Sequence, residues 1–373
     1  MSMKAVKKAL SRGRDWAERS IKSGKHGQGG FEPAYESGGP ATYDISRALF
    51  LQAIGGIYLV AFSSYFVQFE GLYGAQGILP IAQQLDQAEG MAWSSFPSLV
   101  RLHSLLGVDL YAWCNLLAAL GIILSALAVT GSGSAPVMAG CYALYLSFTL
   151  VGDVFLFFQW DALLLEVGFL AILLAPLDKK PSLAANPSRV ALWMLRFVLF
   201  KLMLMSGVVK ITSNDRVWLH LSALEYHLAS QPLPTPIAWY LRQLHPLVLQ
   251  LAIAAVFVVE IPGAFLTLVP FRAVRHPAAI AQAILQVCIM ASGNYGFFNL
   301  LSLALTILLL DDSFWSPLVH DEEARASALR LAAELGSIRK GPDWRPGDEE
   351  TPLLAPGTKP KTPGAWKDGP GGR

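Results

Sequence analysis

Charge is what this sequence is short of. Only 15% of its 373 residues are Asp, Glu, Lys or Arg, against about 25% in an ordinary soluble domain, while 53% are apolar. A water-soluble globule is therefore excluded as the main body of the chain. Cysteine is scarce as well. Cys114, Cys141 and Cys288 each fall inside an apolar block, so neither a disulfide framework nor a CxxC redox or zinc motif can be built from neighbouring positions. No HExxH, phosphate-cradling P-loop, GxSxG or EF-hand loop occurs, and neither a metal nor a cofactor is called for. The tripeptide Asn186-Pro187-Ser188 fails as a glycosylation acceptor because of its central proline. The first residues lack the apolar stretch of a signal peptide, so the first apolar block must act as the targeting signal itself.

What is present is a series of apolar blocks. A spanning helix needs about 20 apolar residues to cross about 30 Å of hydrocarbon at about 1.5 Å per residue. Eight blocks approach that length, at 48–69, 109–129, 135–158, 162–177, 190–211, 247–269, 278–292 and 297–310. The fourth, seventh and eighth fall short, which allows tilted or broken helices buried against their neighbours. Residues 278–310 cannot form one straight crossing, because helix of that length would run about 50 Å; Gly293-Asn294-Tyr295-Gly296 marks the break. The fold expected is an all-α polytopic bundle of about eight membrane segments. Residues 1–47 form a basic cytoplasmic arm, 48–312 the membrane domain, and 313–373 a low-complexity cytoplasmic tail; both termini are expected to be disordered.

The basic residues test that count. Cytoplasmic flanks collect Lys and Arg, and alternating the eight segments puts 23 of the 29 on one side, nine in each terminus and the rest including Lys179, Lys180, Arg189, Arg272 and Arg275. The other side holds only Arg101, Arg216 and Arg242. An even number of crossings with both ends cytoplasmic follows, and loops 70–108 and 212–246 then face the lumen or exterior. The arm can lie on an anionic leaflet as a basic helix over its first 30 residues, or stand solvated. Nucleic acid is not an expected partner, since membrane orientation already explains the basic ends. The tail is acidic at first, then offers a short helix over 322–335 before its Pro- and Gly-rich end.

Charges inside the blocks carry information because each costs about 2.5–3.5 kcal/mol at the bilayer centre. Glu166, Glu260, Asp153 and Asp161 are acidic, and Arg196, Lys201 and Lys210 share the fifth block. The expected network has the fifth segment between the fourth and sixth, with Glu166 and Glu260 neutralising Arg196 and Lys201. Arg196 and Lys210 can alternatively reach the headgroups from near the segment ends. Such pairs hold helices in register as readily as they mark a transport path, for which Glu166, Lys201 and Glu260 would have to line water.

Loop 212–246 stands out for its rings. Trp218, Tyr226, His227, Trp239 and Tyr240 surround Gln231-Pro232-Leu233-Pro234-Thr235-Pro236, whose alternate prolines predict an extended path. The spacing of Trp218, Leu221, Leu224, Glu225 and Leu228 predicts an interfacial helix before it. A rigid aromatic surface of this kind suits an unfolded or apolar client, and suits packing on the membrane equally well. His227 and Lys210 are the candidates for acid–base chemistry, although a single histidine in an aromatic loop is commonly structural.

Several of these blocks, in order, resemble the lipase maturation factor family over roughly 47–312. They are Ile57-Tyr58-Leu59-Val60-Ala61-Phe62 with Gly71-Leu72, Gly74 and Gly77-Ile78-Leu79-Pro80; Trp160-Asp161 with Leu163-Leu164-Leu165-Glu166 and Gly168-Phe169-Leu170; and Arg196, Phe200-Lys201-Leu202-Met203, Gly207 and Lys210. Trp218, Leu221, Ala223-Leu224, Tyr226-His227, the proline segment and Trp239-Tyr240 match most closely, and Gly293-Asn294-Tyr295, Phe297-Phe298-Asn299 and Asp311-Asp312 close the series. The resemblance implies a non-enzymatic factor of the endoplasmic-reticulum membrane that helps secreted client proteins, lipases above all, fold and assemble into homodimers. It implies in addition a large lumenal domain beyond Asp311-Asp312, where this sequence has its short tail. At Lys201 the family more usually has Arg, whose bidentate carboxylate contact Lys cannot make. A weaker similarity to vitamin K-dependent carboxylases offers the alternative of a membrane enzyme modifying polypeptide or lipid.

Overall fold

The computed structural model describes residues 41–177 and 187–319. The expectations for the basic arm's helix, for Lys179 and Lys180, for the helix at 322–335 and for the low-complexity tail lie outside them. Among the described residues all regular structure is helical. In chain order the helices are α1 (Asp44–Tyr73), α2 (Ile81–Gln87), α3 (Leu102–Leu106), α4 (Leu110–Leu127), α5 (Ala135–Val151), α6 (Gln159–Leu174), α7 (Arg189–Thr212) and α8 (Arg216–Leu219). They continue with α9 (Ala223–Ser230), α10 (Pro236–Arg242), α11 (Pro246–Glu260), α12 (Pro262–Leu266), α13 (Arg272–Ser292), α14 (Phe298–Ile307) and α15 (Asp312–Val319).

Five segments are long and apolar enough to cross a membrane: α1, α4 with its last turn, α7, α11 with α12, and α13. The protein is thus a multi-pass membrane bundle. The other three expected segments are shorter helices, α5 with 17 residues, α6 with 16 and α14 with 10. At about 15 Å, α14 cannot span hydrocarbon alone. It is instead enclosed, touching α1, α6, α7 and α13. Leu301, Leu305, Leu308 and Leu309 are fully buried. From α1 through α4, α5, α6, α7 and α11 to α13, each long segment packs on its chain neighbour, as short connections favour.

Three boundaries differ from expectation for local reasons. The third block stops at Val151, and Asp153–Phe155 makes a separate 3-10 turn. The sixth is broken at Ile261 (φ −103°, ψ −80°) because Pro262 lacks an amide hydrogen and crowds the residue before it. At the ends, α1 begins at Asp44 and α15 occupies 312–319, so residues assigned to the arm and the tail belong to helices of the bundle. The break at 293–296 falls as expected, between α13 and α14.

The core is built on α1, whose Tyr58, Phe62, Tyr65, Phe69 and Tyr73 recur at helical spacing and are all buried. Tyr65 stacks on Phe148 of α5 with centroids 4.2 Å apart, and Tyr73 donates to the carbonyl of Gly152 at 2.8 Å. Close helix approach depends on small residues. A Cβ on Gly55 would stand 2.6 Å from Cβ of Ala128, and one on Gly121 would stand 2.6 Å from the Phe62 ring.

Candidate functional site

Three cations within α7 find two kinds of partner, carboxylates for the lysines and a backbone carbonyl for the arginine. Lys201 Nζ lies 2.5 Å from Glu166 Oε1 on α6. Lys210 Nζ lies 2.6 Å from Glu260 Oε2 on α11, donates to the Ser206 carbonyl at 3.0 Å, and sits 5.3 Å from the centroid of Trp218. Among the described residues Arg196 meets no carboxylate. Its Nε and Nη2 donate to the Leu308 carbonyl at 3.0 and 2.9 Å, and its guanidinium stacks 4.8 Å from the Tyr43 ring. Helix α7 does contact both α6 and α11.

The expected pairing of Glu260 with Arg196 or Lys201 is therefore corrected to Lys210. The reason is the α7–α11 approach at Gly207, where a Cβ would meet Ile261 at 2.5 Å and Glu260 Cβ at 3.1 Å. That approach puts Glu260 beside Gly207, one turn from Lys210 and nearly two from Lys201. Asp161, expected in the same network, bonds no cation among the described residues; it accepts from the Tyr145 hydroxyl at 2.5 Å and from the Phe158 amide at 3.0 Å.

A second cluster at one end of the bundle escaped the sequence reading. Carbonyls at the C-terminus of α14 lack helical partners and carry partial negative charge. Two guanidiniums supply them: Arg196 as above, and Arg275, whose Nε donates to the Leu309 carbonyl at 2.6 Å. Asp311 then accepts from Arg272 at 2.6 Å and from Arg275 at 3.3 Å, while Arg275 also donates to the Tyr43 hydroxyl at 2.9 Å. Burial pushes the Asp311 carboxyl up, but the Ser313 hydroxyl, Arg272 and His276 outweigh it and hold the group below its ordinary value. Asp312 caps α1, and its amide donates to the Thr42 carbonyl at 3.0 Å. The first and last described segments thus meet at one end. Arg272 and Arg275 had been read only as loop charges; the adjacent Asp311-Asp312 was the available signal.

At loop 212–246 the single predicted helix is two, α8 and α9, separated by Leu221 in a left-handed conformation (φ 56°). Leu228, Ala238 and Leu249 form a small core of their own, with Leu224 and Leu241 packed against it. The proline segment is extended at Gln231 and Thr235 but bends at Pro232 and Leu233, and Pro236 starts α10. It is stapled at both ends to α13. Gln231 Nε2 donates to the Ser292 carbonyl at 2.7 Å and Thr235 Oγ1 to the Ala291 carbonyl at 2.8 Å, filling positions that a helix C-terminus leaves open. His227 lies parallel to Tyr295 in the 293–297 break and its Nε2 bonds that hydroxyl; burial lowers the imidazole pKa below its usual value.

Between the staples, Pro232, Leu233 and Pro234 are exposed. Tyr226, Ile237, Trp239 and Tyr240 are exposed beside them, the last two edge to face at 5.0 Å. Trp218 does not belong to this surface. It is half-buried, packed edge-on against Phe257 at 6.3 Å beneath Lys210. Among the described residues no three His, Cys, Asp or Glu side chains converge as metal ligands.

The match that decides the family spans nearly every described helix. Residues 45–317 match the lipase maturation factor transmembrane domain. The chain belongs to the lipase maturation factor family. It is 42% identical over 287 residues to Lipase maturation factor 2 of Rattus norvegicus, covering 73% of this chain and 41% of that protein. It is 40% identical to Lipase maturation factor 2 of Homo sapiens over 283 residues, 72% of this chain and 40% of that one. Lipase maturation factor 1 of Mus musculus is 33% identical over 288 residues, 73% and 49% respectively. The chain thus spans less than half the length of these lipase maturation factors. No solved structure matches it.

Proposed function

We propose that this lipase maturation factor homologue is a non-enzymatic factor of the endoplasmic-reticulum membrane that assists the folding and assembly of secretory proteins, lipases in particular. The reading rests on the relatives' names and on one observation: an apolar, ring-rich surface held rigid against the bundle. Leu233 is exposed between two ties to α13, and Tyr226, Ile237, Trp239 and Tyr240 are exposed on the helices α9 and α10 that flank them. Gln231, Pro232, Pro234 and Pro236 stiffen this surface and His227 anchors it to Tyr295, whereas Trp218 lies apart, against Phe257. Rigidity matters because an ordered surface loses little entropy when it takes up a client.

Its action is to cover apolar client surface while the client folds. A micromolar hold needs about 8 kcal/mol beyond association costs of about 4 kcal/mol or more. At ~25 cal/mol per Å² that corresponds to on the order of 500 Å² of apolar burial. The surface faces the lumen and both termini the cytoplasm, in keeping with the meeting of the first and last segments at one end. Serine at Tyr226, Trp239 and Tyr240 together tests the proposal better than deletion of 231–236, which would also remove both staples. The triple variant should insert normally but yield less secreted active lipase and lose lipase co-purification. Unchanged lipase output with the variant as the only copy would refute it. A cysteine at Leu233 should react with an impermeant reagent from the lumenal side alone.

A further inference from the structure

Within the spans, one ion pair is out of place. Lys210 and Glu260 are sheltered, with side chains 18% and 5% exposed, but Lys201 and Glu166 are 45% and 41% exposed on the outside of the bundle. Lys201 lies midway along the 24-residue α7, about 18 Å from either end, too deep for its ammonium to reach a headgroup along a helix axis. Glu166 lies midway along α6. Around the pair the outward face is otherwise apolar: Phe169 and Leu173 on α6, and Met194, Phe197 and Met205 on α7. These residues recur at helical spacing on two adjacent helices, so the face is continuous. Each charged group also has bonding capacity left. Lys201 donates one bond, to Oε1 of Glu166, out of three possible, and Glu166 Oε2 accepts none among the described residues. Hydrocarbon satisfies neither.

We propose that the α6–α7 face is an interface between two copies of this chain within the membrane. An ion pair on neighbouring helices is its own complement under a two-fold axis along the membrane normal. Seen from outside, one copy presents Glu166 and Lys201 side by side. Its rotated partner presents them in reverse order, so Lys201 of each meets Glu166 of the other. The result is a four-member ring of alternating charge in which Nζ and Oε2 gain the partners they lack, enclosed by the apolar residues above and below. No other occupant comes with this complementarity already built in. Burial of the pair by a copy of itself removes it from lipid without any further charge.

The test uses the full chain carrying two different tags, co-expressed and reconstituted in lipid nanodiscs or mild detergent. Wild-type copies should co-purify with each other. The exchanged variant E166K/K201E should co-purify with itself, since its ring is equally complementary. A mixed pair would set Lys against Lys and Glu against Glu, so its recovery should fall at least tenfold. Equal recovery of mixed and matched pairs, or chains that stay monomeric alone, in water-lined form or bound to a different protein, would overturn the proposal. Should the exchanged chain not fold, an arm that leaves the pair intact decides the matter. In a C288S background, F169C or F197C should cross-link copy to copy with a bifunctional thiol reagent, and L120C on α4 should not. Cross-linking at position 120 with none at 169 or 197 would equally refute it.

Discussion

The carboxylate of Asp312 closes the start of a helix that lies 268 residues earlier in the chain: its Oδ2 accepts the amide of Asp44 at 2.9 Å, while Oδ1 accepts that of Ile45, also at 2.9 Å. Trp315 adds a bond from Nε1 to Ser46 Oγ at 3.1 Å, and Ser46 in turn donates to the Leu310 carbonyl at 2.7 Å. Helix N-termini need such acceptors. Replacing Asp312 with alanine should cost about 0.5–2 kcal/mol, and asparagine, which keeps one acceptor, distinctly less. Thermal unfolding of the purified protein in detergent measures the order wild type, Asn, Ala.

The Lys210–Glu260 pair is buried enough for its partners to depend on each other. Lys210→Met or Glu260→Gln alone leaves one buried charge unmatched and should destabilise by about 3 kcal/mol or more. The double substitution should cost clearly less than the two singles added together. A double-mutant cycle from denaturant unfolding reads the coupling, and simple additivity would mean that the two groups do not interact in the folded bundle.

Acid should loosen the loop at His227. Burial lowers this imidazole's folded pKa, so the neutral ring is the form the fold favours. Its contribution is complete above the ordinary value of about 6.5 and is lost as pH falls from there through the depressed folded value. Amide hydrogen exchange over 223–242, corrected for intrinsic rates, should accelerate between pH 7.5 and 5.5. The acceleration should shrink in His227→Gln.

Two glycines should respond in opposite directions. Gly121→Val would drive a side chain into Phe62, which is fully buried and ringed by Tyr58, Tyr145 and Phe148; overpacking of this kind costs about 1–3 kcal/mol. Gly71 in α1 faces open space, and alanine there should stabilise by about 0.4–1 kcal/mol. Melting temperatures of the two variants should lie on either side of wild type.

Much of the bundle can be read from apolar block lengths, because hydrocarbon thickness dictates them, and that Lys201 meets a glutamate follows from the cost of leaving either charge alone. Arg196 shows the limit of that reasoning. A search for opposite charge looks among side chains, whereas its partner is a backbone carbonyl, Leu308, made available by a helix end that no composition rule marks. Lys210 shows another limit, since choosing between Glu166 and Glu260 needs the crossing point at Gly207. In the loop, periodicity ran through Leu221, a residue type that seldom takes positive φ, and so concealed the corner there. Trp218 carries the same residue type as Trp239, and only packing against Phe257 distinguishes a supporting ring from a displayed one.

The enclosed helix α14 imposes an order on biosynthesis. Translation runs from α1 onward, so Arg196, Arg275 and the first amides of α1 are made before residues 308–312, which complete their bonding. Until then, the four helices that pack on α14 lack it and two guanidiniums await acceptors. The bundle therefore closes at a single late moment, when the ribosome delivers the short helix and the two aspartates behind it. A nascent chain halted before residue 298 would present quality-control machinery with an incomplete core instead of a smaller folded protein.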